Sequence, residues 1–218
     1  MLESFTLFTL LRNDPLVIAK WFSGVLPFIN DGLLSNIHIT CAAKENNHLI
    51  TLASICNLTI TDVEYKTISE EDPLAKNDYY RYLWNKGISE IKNDLVLVLD
   101  DDIEPDMYII QKFFAQRLGD NVLFGMVNYR NAENLMLSKR IDKGQEIYPR
   151  DIGIDPFVIE YGAPNCMFST LKTLKNVASN LVGIPELPYR CTGFEIARNA
   201  RKQGIKLIAI PSIICKHG

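Results

Sequence analysis

The sequence predicts an α/β protein whose mostly parallel central sheet is covered by helices on both faces. Three observations carry that expectation. Short apolar runs rich in branched and aromatic residues alternate with longer stretches of helical period. The alternation repeats strand and crossover helix, the order that a right-handed parallel sheet requires. The run Leu95–Leu99 is wholly apolar, as a strand buried on both faces must be.

Strands are expected at Phe5–Leu11, Ile37–Ala42, Val63–Ile68, Leu95–Leu99 and Val122–Val127, with helices at Pro15–Leu26, Asn47–Asn57, Leu74–Lys86 and Pro105–Leu118. Pro15 and Pro105 suit a first helical turn, where a missing N–H is tolerated, and Gly87 and Gly119 fall where helices should stop. Residues 128–156 are polar, charged and poorly periodic, a connection long enough to expect a mobile lid. From Val158 a short strand leads to a helix over Leu171–Leu181, a Gly/Pro-rich turn, a helix over Gly193–Gln203 and a last strand over Lys206–Cys215. The 218 residues can bury a full core, and no repeat or linker divides them, so a single domain is expected.

With 47% hydrophobic and 22% charged residues, the composition is that of a soluble globular chain and excludes disordered, collagen-like and coiled-coil classes. The net charge of -3 offers no basic stripe, so no nucleic-acid partner is expected. Cys41, Cys56, Cys166, Cys191 and Cys215 are odd in number and lack CxxC spacing. They read as buried thiols in a reducing compartment, hence a cytoplasmic location. No integral membrane segment is expected, because the longest apolar stretches are too short or are interrupted by Lys206 and Pro211. The N-terminus carries Glu3 and no basic stretch, so it reads as a first strand and not as a signal peptide.

The densest chemistry follows the Leu95–Leu99 run, where Asp100, Asp101 and Asp102 stand side by side. Ligands of parallel sheets bind beyond the carboxyl ends of the strands, so the acids fall where a site is expected. Three adjacent carboxylates repel one another, and a divalent cation such as Mn2+ or Mg2+ offsets that charge with oxygen ligands. Along an extended segment Asp100 and Asp102 would point one way and Asp101 the other, letting one acid hold a ribose hydroxyl and another a metal bridging phosphates. The plainer alternative is a cap for the helix starting near Pro105.

Several segments, in this order, resemble the glycosyltransferase-A (Rossmann-like) fold, and in particular the family 2 inverting glycosyltransferases. Phe5-Thr-Leu-Phe-Thr-Leu-Leu-Arg-Asn-Asp-Pro15 resembles the first strand and nucleotide-binding loop, Trp84-Asn85-Lys86-Gly87 the ArgAsn-x-Gly stretch, and Leu97-Val-Leu-Asp-Asp-Asp102 the DxD strand. Tyr161-Gly-Ala-Pro-Asn-Cys-Met-Phe168 resembles the strand lining the acceptor side of the donor-sugar pocket. Phe194-Glu-Ile-Ala-Arg-Asn-Ala-Arg-Lys-Gln-Gly204, Lys206–Cys215 and His217 resemble the closing helix, strand and histidine.

The resemblance implies a metal-dependent transfer of a hexose-type sugar from a nucleotide-sugar donor, UDP-linked, to a carbohydrate or glycoconjugate acceptor, with inversion. Residues 1–104 would form a nucleotide-binding half and 105–218 an acceptor-binding half. Asp100 and Asp101 would serve the nucleotide side, with Leu11, Arg12 and Asn13 from the first loop; Asp102 and His217 would ligate the metal. Lys76 and Arg81 are expected to counter the diphosphate charge.

Two departures stand out. The family's Glu-Asp pair, which supplies the general base, is replaced here by Thr192 and Gly193, leaving Glu195 as the candidate base, or else a helix N-terminal acid, with Glu186 second. Cys41-Ala42-Ala43 stands where an aspartate often meets the nucleotide base. Two other functions remain open: a sugar-1-phosphate nucleotidyltransferase, disfavoured by the glycine-free first loop, and a binding module without turnover.

Overall fold

Strands that are apolar on both faces need helices on both sides, and the computed structural model supplies them. Its described residues are 5–11, 15–30, 34–41, 58–62, 73–105, 108–116, 119–128, 138–139, 141–142, 145–146, 153, 155–183 and 192–217. The first half contains β1 (Phe5–Leu10), α1 (Pro15–Asn30), β2 (Leu34–Cys41), β3 (Leu58–Asp62), α2 (Pro73–Glu90) and β4 (Leu95–Leu99). Then come β5 (Ile103–Glu104), α3 (Ile109–Phe114), β6 (Val122–Asn128), β7 (Ser138–Lys139), β8 (Ile141–Asp142) and β9 (Gln145–Glu146). The chain closes with β10 (Phe157–Ile159), β11 (Tyr161–Gly162), β12 (Cys166–Thr170), α4 (Leu171–Ala178), α5 (Thr192–Lys202) and β13 (Leu207–His217).

The main sheet runs β10-β13-β6-β12-β4-β1-β2-β3, with β5 laid against the far end of β13. It is mainly parallel: β1 pairs in parallel with β2 and β4, β2 with β3, and β6 with β13. β12 is inserted antiparallel between β4 and β6, and β10 and β5 pair antiparallel with β13.

Alternation along the strands divides the core in two. Leu95, Leu97 and Leu99 face Trp21 and Val25 of α1 and Phe113 of α3. Val96 and Val98 face Trp84 and Ile88 of α2, Val177 of α4 and Ile196 of α5.

Several boundaries differ from the expected ones. The third strand is Leu58–Asp62 and not Val63–Ile68. It is an edge strand whose exposed Thr59 alternates with half-buried Ile60, so it lacks the continuous apolar run that marks a central parallel strand. The helix expected over Pro105–Leu118 is Ile109–Phe114, capped at Ala115, and the chain just before Pro105 is taken into a ladder in which Ile103 and Glu104 pair with His217 and Lys216. The expected helix Asn47–Asn57 lies outside the described residues. Of 128–156, the description covers β7, β8 and β9, which form short antiparallel pairs, with 128, 153, 155 and 156; the lid expectation otherwise falls outside it.

Gly87 does not stop a helix, since α2 continues through it to Glu90. It is there for contact: a Cβ on Gly87 would collide with the Thr40 hydroxyl and the Phe8 ring. Gly87→Ala is therefore expected to lower unfolding stability by about 2–3 kcal/mol, far beyond the gain that alanine's helix propensity would provide, as measured by urea denaturation.

Beneath the end of α2, His38 Nε2 lies 2.8 Å from Thr61 Oγ1, which donates to Glu90 Oε2 at 2.8 Å. Thr61 has one proton and gives it to Glu90, so His38 is the donor in the first bond. Burial holds the His38 pKa below its ordinary 6.5, with the Glu90 charge opposing in part. The unfolded chain therefore takes up this proton first: the contribution is neutral above 6.5 and becomes destabilising as pH falls through that value. A stability-versus-pH series on wild type and His38→Gln, which keeps an N–H for Thr61, is expected to show this acid-side slope in wild type alone.

Candidate active site

The acids follow β4, the strand most enclosed by the sheet. The Asp100 N–H donates to the Asn165 carbonyl at 3.0 Å, and the Ile103 N–H donates back to the Asp100 carbonyl at 3.2 Å. The carboxylates thus stand on a turn and not on an extended strand, and aspartate suits its first position. Asp101 is 5% exposed, while Asp100 and Asp102 are half-buried. From β1, the Thr9 hydroxyl donates to the Leu99 carbonyl at 2.8 Å, fixing the last peptide before the acids. Sequence reading missed Thr9 and Asn165; the signal for Thr9 was a hydroxyl residue inside a wholly buried strand.

A cavity of about 400 Å³ opens between this turn and α1, lined by Lys20, Trp21, Ser23 and Gly24 on one side and by Asp101, Asp102, Ile103 and Glu104 on the other. Trp21 is 3% exposed, and its indole N–H has no hydrogen-bond partner among the described residues. Backbone pairing of His217 with Ile103 brings the end of β13 beside the acid turn; the His217 side chain is not described. Among the described residues no group of three His, Cys, Asp or Glu side chains is arranged to hold a metal ion.

Other expected site residues fall elsewhere. Leu11 is buried in the α1-side core, and its N–H donates to the Thr40 carbonyl at 3.1 Å, tying the end of β1 to β2. Arg12 and Asn13 lie outside the described residues, as do Glu186 and the side chain of Lys76, a residue of α2.

Arg81 and Glu195 are brought to one place, around the turn 181–183. Arg81 is 3% exposed, pairs with Asp78, and lies against Gly183, where an added Cβ would stand 3.0 Å from its Cζ. Gly183 has φ +89°, a conformation that strains any residue with a side chain. Glu195, 2% exposed, accepts from the N–H of Val182 at 2.6 Å and of Gly183 at 3.0 Å. Asn85 completes the brace: its Nδ2 donates to the Leu181 carbonyl at 2.9 Å, and its Oδ1 accepts from the Leu181 N–H at 2.8 Å. The Asn of the ArgAsn-x-Gly-like stretch thus joins α2 to a turn nearly a hundred residues on.

Gly193, one of the two residues standing at the resembled family's Glu-Asp positions, is sterically confined. A Cβ on Gly193 would stand 2.5 Å from the Gly162 carbonyl oxygen, so the backbones of α5 and β11 occupy the place of a carboxylate side chain.

No family model matches the chain, and no curated protein matches its sequence. Solved structures do match its fold. GalNAc-T7 with UDP, GalNAc and Mn2+ superposes with a TM-score of 0.68 at 10% identity, over 99% of this chain and 44% of that one. S. aureus TarS 1–349 matches with a TM-score of 0.56 at 10% identity, over 98% and 60%. The inositol-1-phosphate CTP transferase from T. maritima matches with a TM-score of 0.57 at 6% identity, over 100% and 90%. The fold is thus that of the glycosyltransferase-A-like nucleotide-sugar transferases. The chain spans about half the length of the first two of these structures.

Replacing Glu195 with alanine leaves the N–H of Val182 and of buried Gly183 without this acceptor. Glu195→Ala is expected to cost about 2–3 kcal/mol in denaturant unfolding, and Glu195→Gln, which keeps an acceptor oxygen, less than half of that.

Proposed function

We propose that the chain is a divalent-metal-dependent glycosyltransferase that moves a hexose-type sugar from a nucleoside diphosphate, UDP first among the candidates, to the hydroxyl of a carbohydrate or glycoconjugate acceptor with inversion. The observation that carries this reading is the acid turn: three carboxylates pinned at the end of the central strand β4, beside the last residues of β13. The fold shared with GalNAc-T7 and TarS supports it.

The residue types suit a hard divalent cation: half-buried Asp102 would bring carboxylate oxygens, and the backbone register brings His217 to the same edge. Bound there, Mn2+ or Mg2+ would supply positive charge against the departing diphosphate. In this reading Asp100 accepts from the ribose, Asp101 serves the nucleotide side with it, and Leu11, Arg12 and Asn13 border the nucleotide. Lys76 and Arg81 provide positive charge on the α2 side. Residues 1–104 form the nucleotide half and 105–218 the acceptor half. In this reading Glu195 is the candidate base and Glu186 the second. Among the described residues no helix is long and apolar enough to cross a membrane. The buried thiols of Cys166 and Cys215, hydrogen-bonded to each other at 3.8 Å, support a reducing, cytoplasmic setting.

A second reading, nucleotidyl transfer to a sugar phosphate, is favoured by one observation: this chain covers 90% of the T. maritima CTP transferase. Products separate the two, since that reaction releases pyrophosphate and glycosyl transfer releases a nucleoside diphosphate.

Calorimetric titration of UDP with Mn2+ tests the donor site directly. Wild type is expected to bind with metal and to bind at least tenfold more weakly without it. Asp102→Ala is expected to lose the metal dependence while keeping its circular dichroism spectrum. Full metal-supported affinity in Asp102→Ala would overturn the assignment.

A further inference from the structure

Four residues before Asn165, the anchor of the acid turn, begins an aromatic surface to which the reading above assigns no role. Phe194 of α5 lies flat on Tyr161 of β11, with ring centroids 4.2 Å apart and planes within 3°. Its ring remains 39% exposed, although Thr192, Gly193, Glu195 and Ile196 around it are all buried.

The position is rigid. On one side of Phe194, Gly193 is in backbone contact with Gly162; on the other, the Glu195 carboxylate holds the N–H groups of Val182 and Gly183. The structure therefore holds an apolar ring partly in water, one face on its partner, where an amphipathic helix would ordinarily carry a polar side chain.

Its location ties it to the acids. From Tyr161 the chain runs through 162–164 to Asn165, whose carbonyl anchors Asp100. Four residues reach at most about 14 Å between Cα atoms, so the platform lies within the length of two or three sugar rings from that anchor. β12 begins at Cys166, opposite Leu99, so the chain reaches the acids' edge of the sheet at Asn165, while three residues earlier Gly162 still lies against the Phe124 ring on the sheet face.

We propose that the Tyr161–Phe194 stack is an acceptor subsite that takes the C–H face of a pyranose ring, which makes the acceptor a cyclic sugar. The proposal rests on the glycosyltransferase reading for the word acceptor, and on the geometry alone for the sugar. The face of an aromatic ring is electronegative and attracts the weakly positive axial C–H groups of a pyranose. The hydroxyls around the sugar's rim then stay in water. One exposed six-membered ring matches one sugar ring and is far too small for a stable protein interface.

The test is proton NMR on the full chain with a panel of methyl β-glycosides of glucose, galactose and N-acetylglucosamine and their β-linked disaccharides, against the open-chain alditols as controls. Alditols carry the same hydroxyls and lack the flat face. At least one glycoside is expected to receive saturation from aromatic protons and to show upfield ring-current shifts, with none for its alditol. Phe194→Ala should abolish those shifts and weaken the glycoside about tenfold, while Phe194→Trp retains them. UDP titrated into the same samples should bind wild type and Phe194→Ala alike.

Absence of any glycoside contact in a wild type that binds UDP would overturn the subsite and leave the donor reading standing, as would equal glycoside binding by Phe194→Ala. Ring-current shifts in a wild type that fails to bind UDP would uphold the sugar platform and overturn the donor reading.

Discussion

The hydrogen bond from the Asp100 N–H to the Asn165 carbonyl is the contact on which the working edge depends. It exists because β12 enters the sheet antiparallel beside β4, so that the chain arriving at Cys166 passes where the chain leaving Leu99 turns away. With the Thr9 hydroxyl on the Leu99 carbonyl and the Ile103 N–H on the Asp100 carbonyl, the peptide before the acids and the turn that carries them are tied on both sides. Three like charges in sequence are tolerable on a backbone held in this way, with one carboxylate buried and two half-buried.

On the α2 side the organising principle is different. Buried charges there persist because each has a partner. Arg81 pairs with Asp78 and lies on Gly183; Glu195 takes main-chain N–H groups; Asn85 clamps Leu181 in both directions. The result is a polar knot around 181–183 that couples α2 to α5. The groups that sequence reading assigned to diphosphate and to proton transfer are thereby part of the scaffold, and any chemical role they have is exercised from within it.

Much of this architecture could be read without coordinates. Leu95–Leu99, Val122–Val127 and the α1 and α2 faces announce themselves through apolar runs and helical period, which are local properties. The acids after β4 were equally legible, because strand-end carboxylates are a local feature with a topological meaning. The misses were non-local. Nothing near Ile103 reveals that residues 216 and 217 will pair with it and with Glu104. Nothing near Asn85 reveals Leu181, and Gly193 looks like a simple loss of a carboxylate until the Gly162 carbonyl is seen filling its place. Edge strand β3 was displaced for a further reason: its threonines hide it from a search for continuous apolar runs.

The place of β12 also bears on how the chain is made. β4 is five apolar residues with β1 on one flank, and its other flank waits for residues 166–170. At about 5–20 residues per second, a ribosome leaves that flank open for several seconds after Leu99 has emerged. During that interval the nascent N-terminal half presents an unpaired, uncharged strand edge of the kind that recruits other chains. The carboxylates directly after Leu99 limit that risk, since stacking copies of this strand in register would stack their charges as well. The acids therefore have a value in biogenesis that is independent of any ligand.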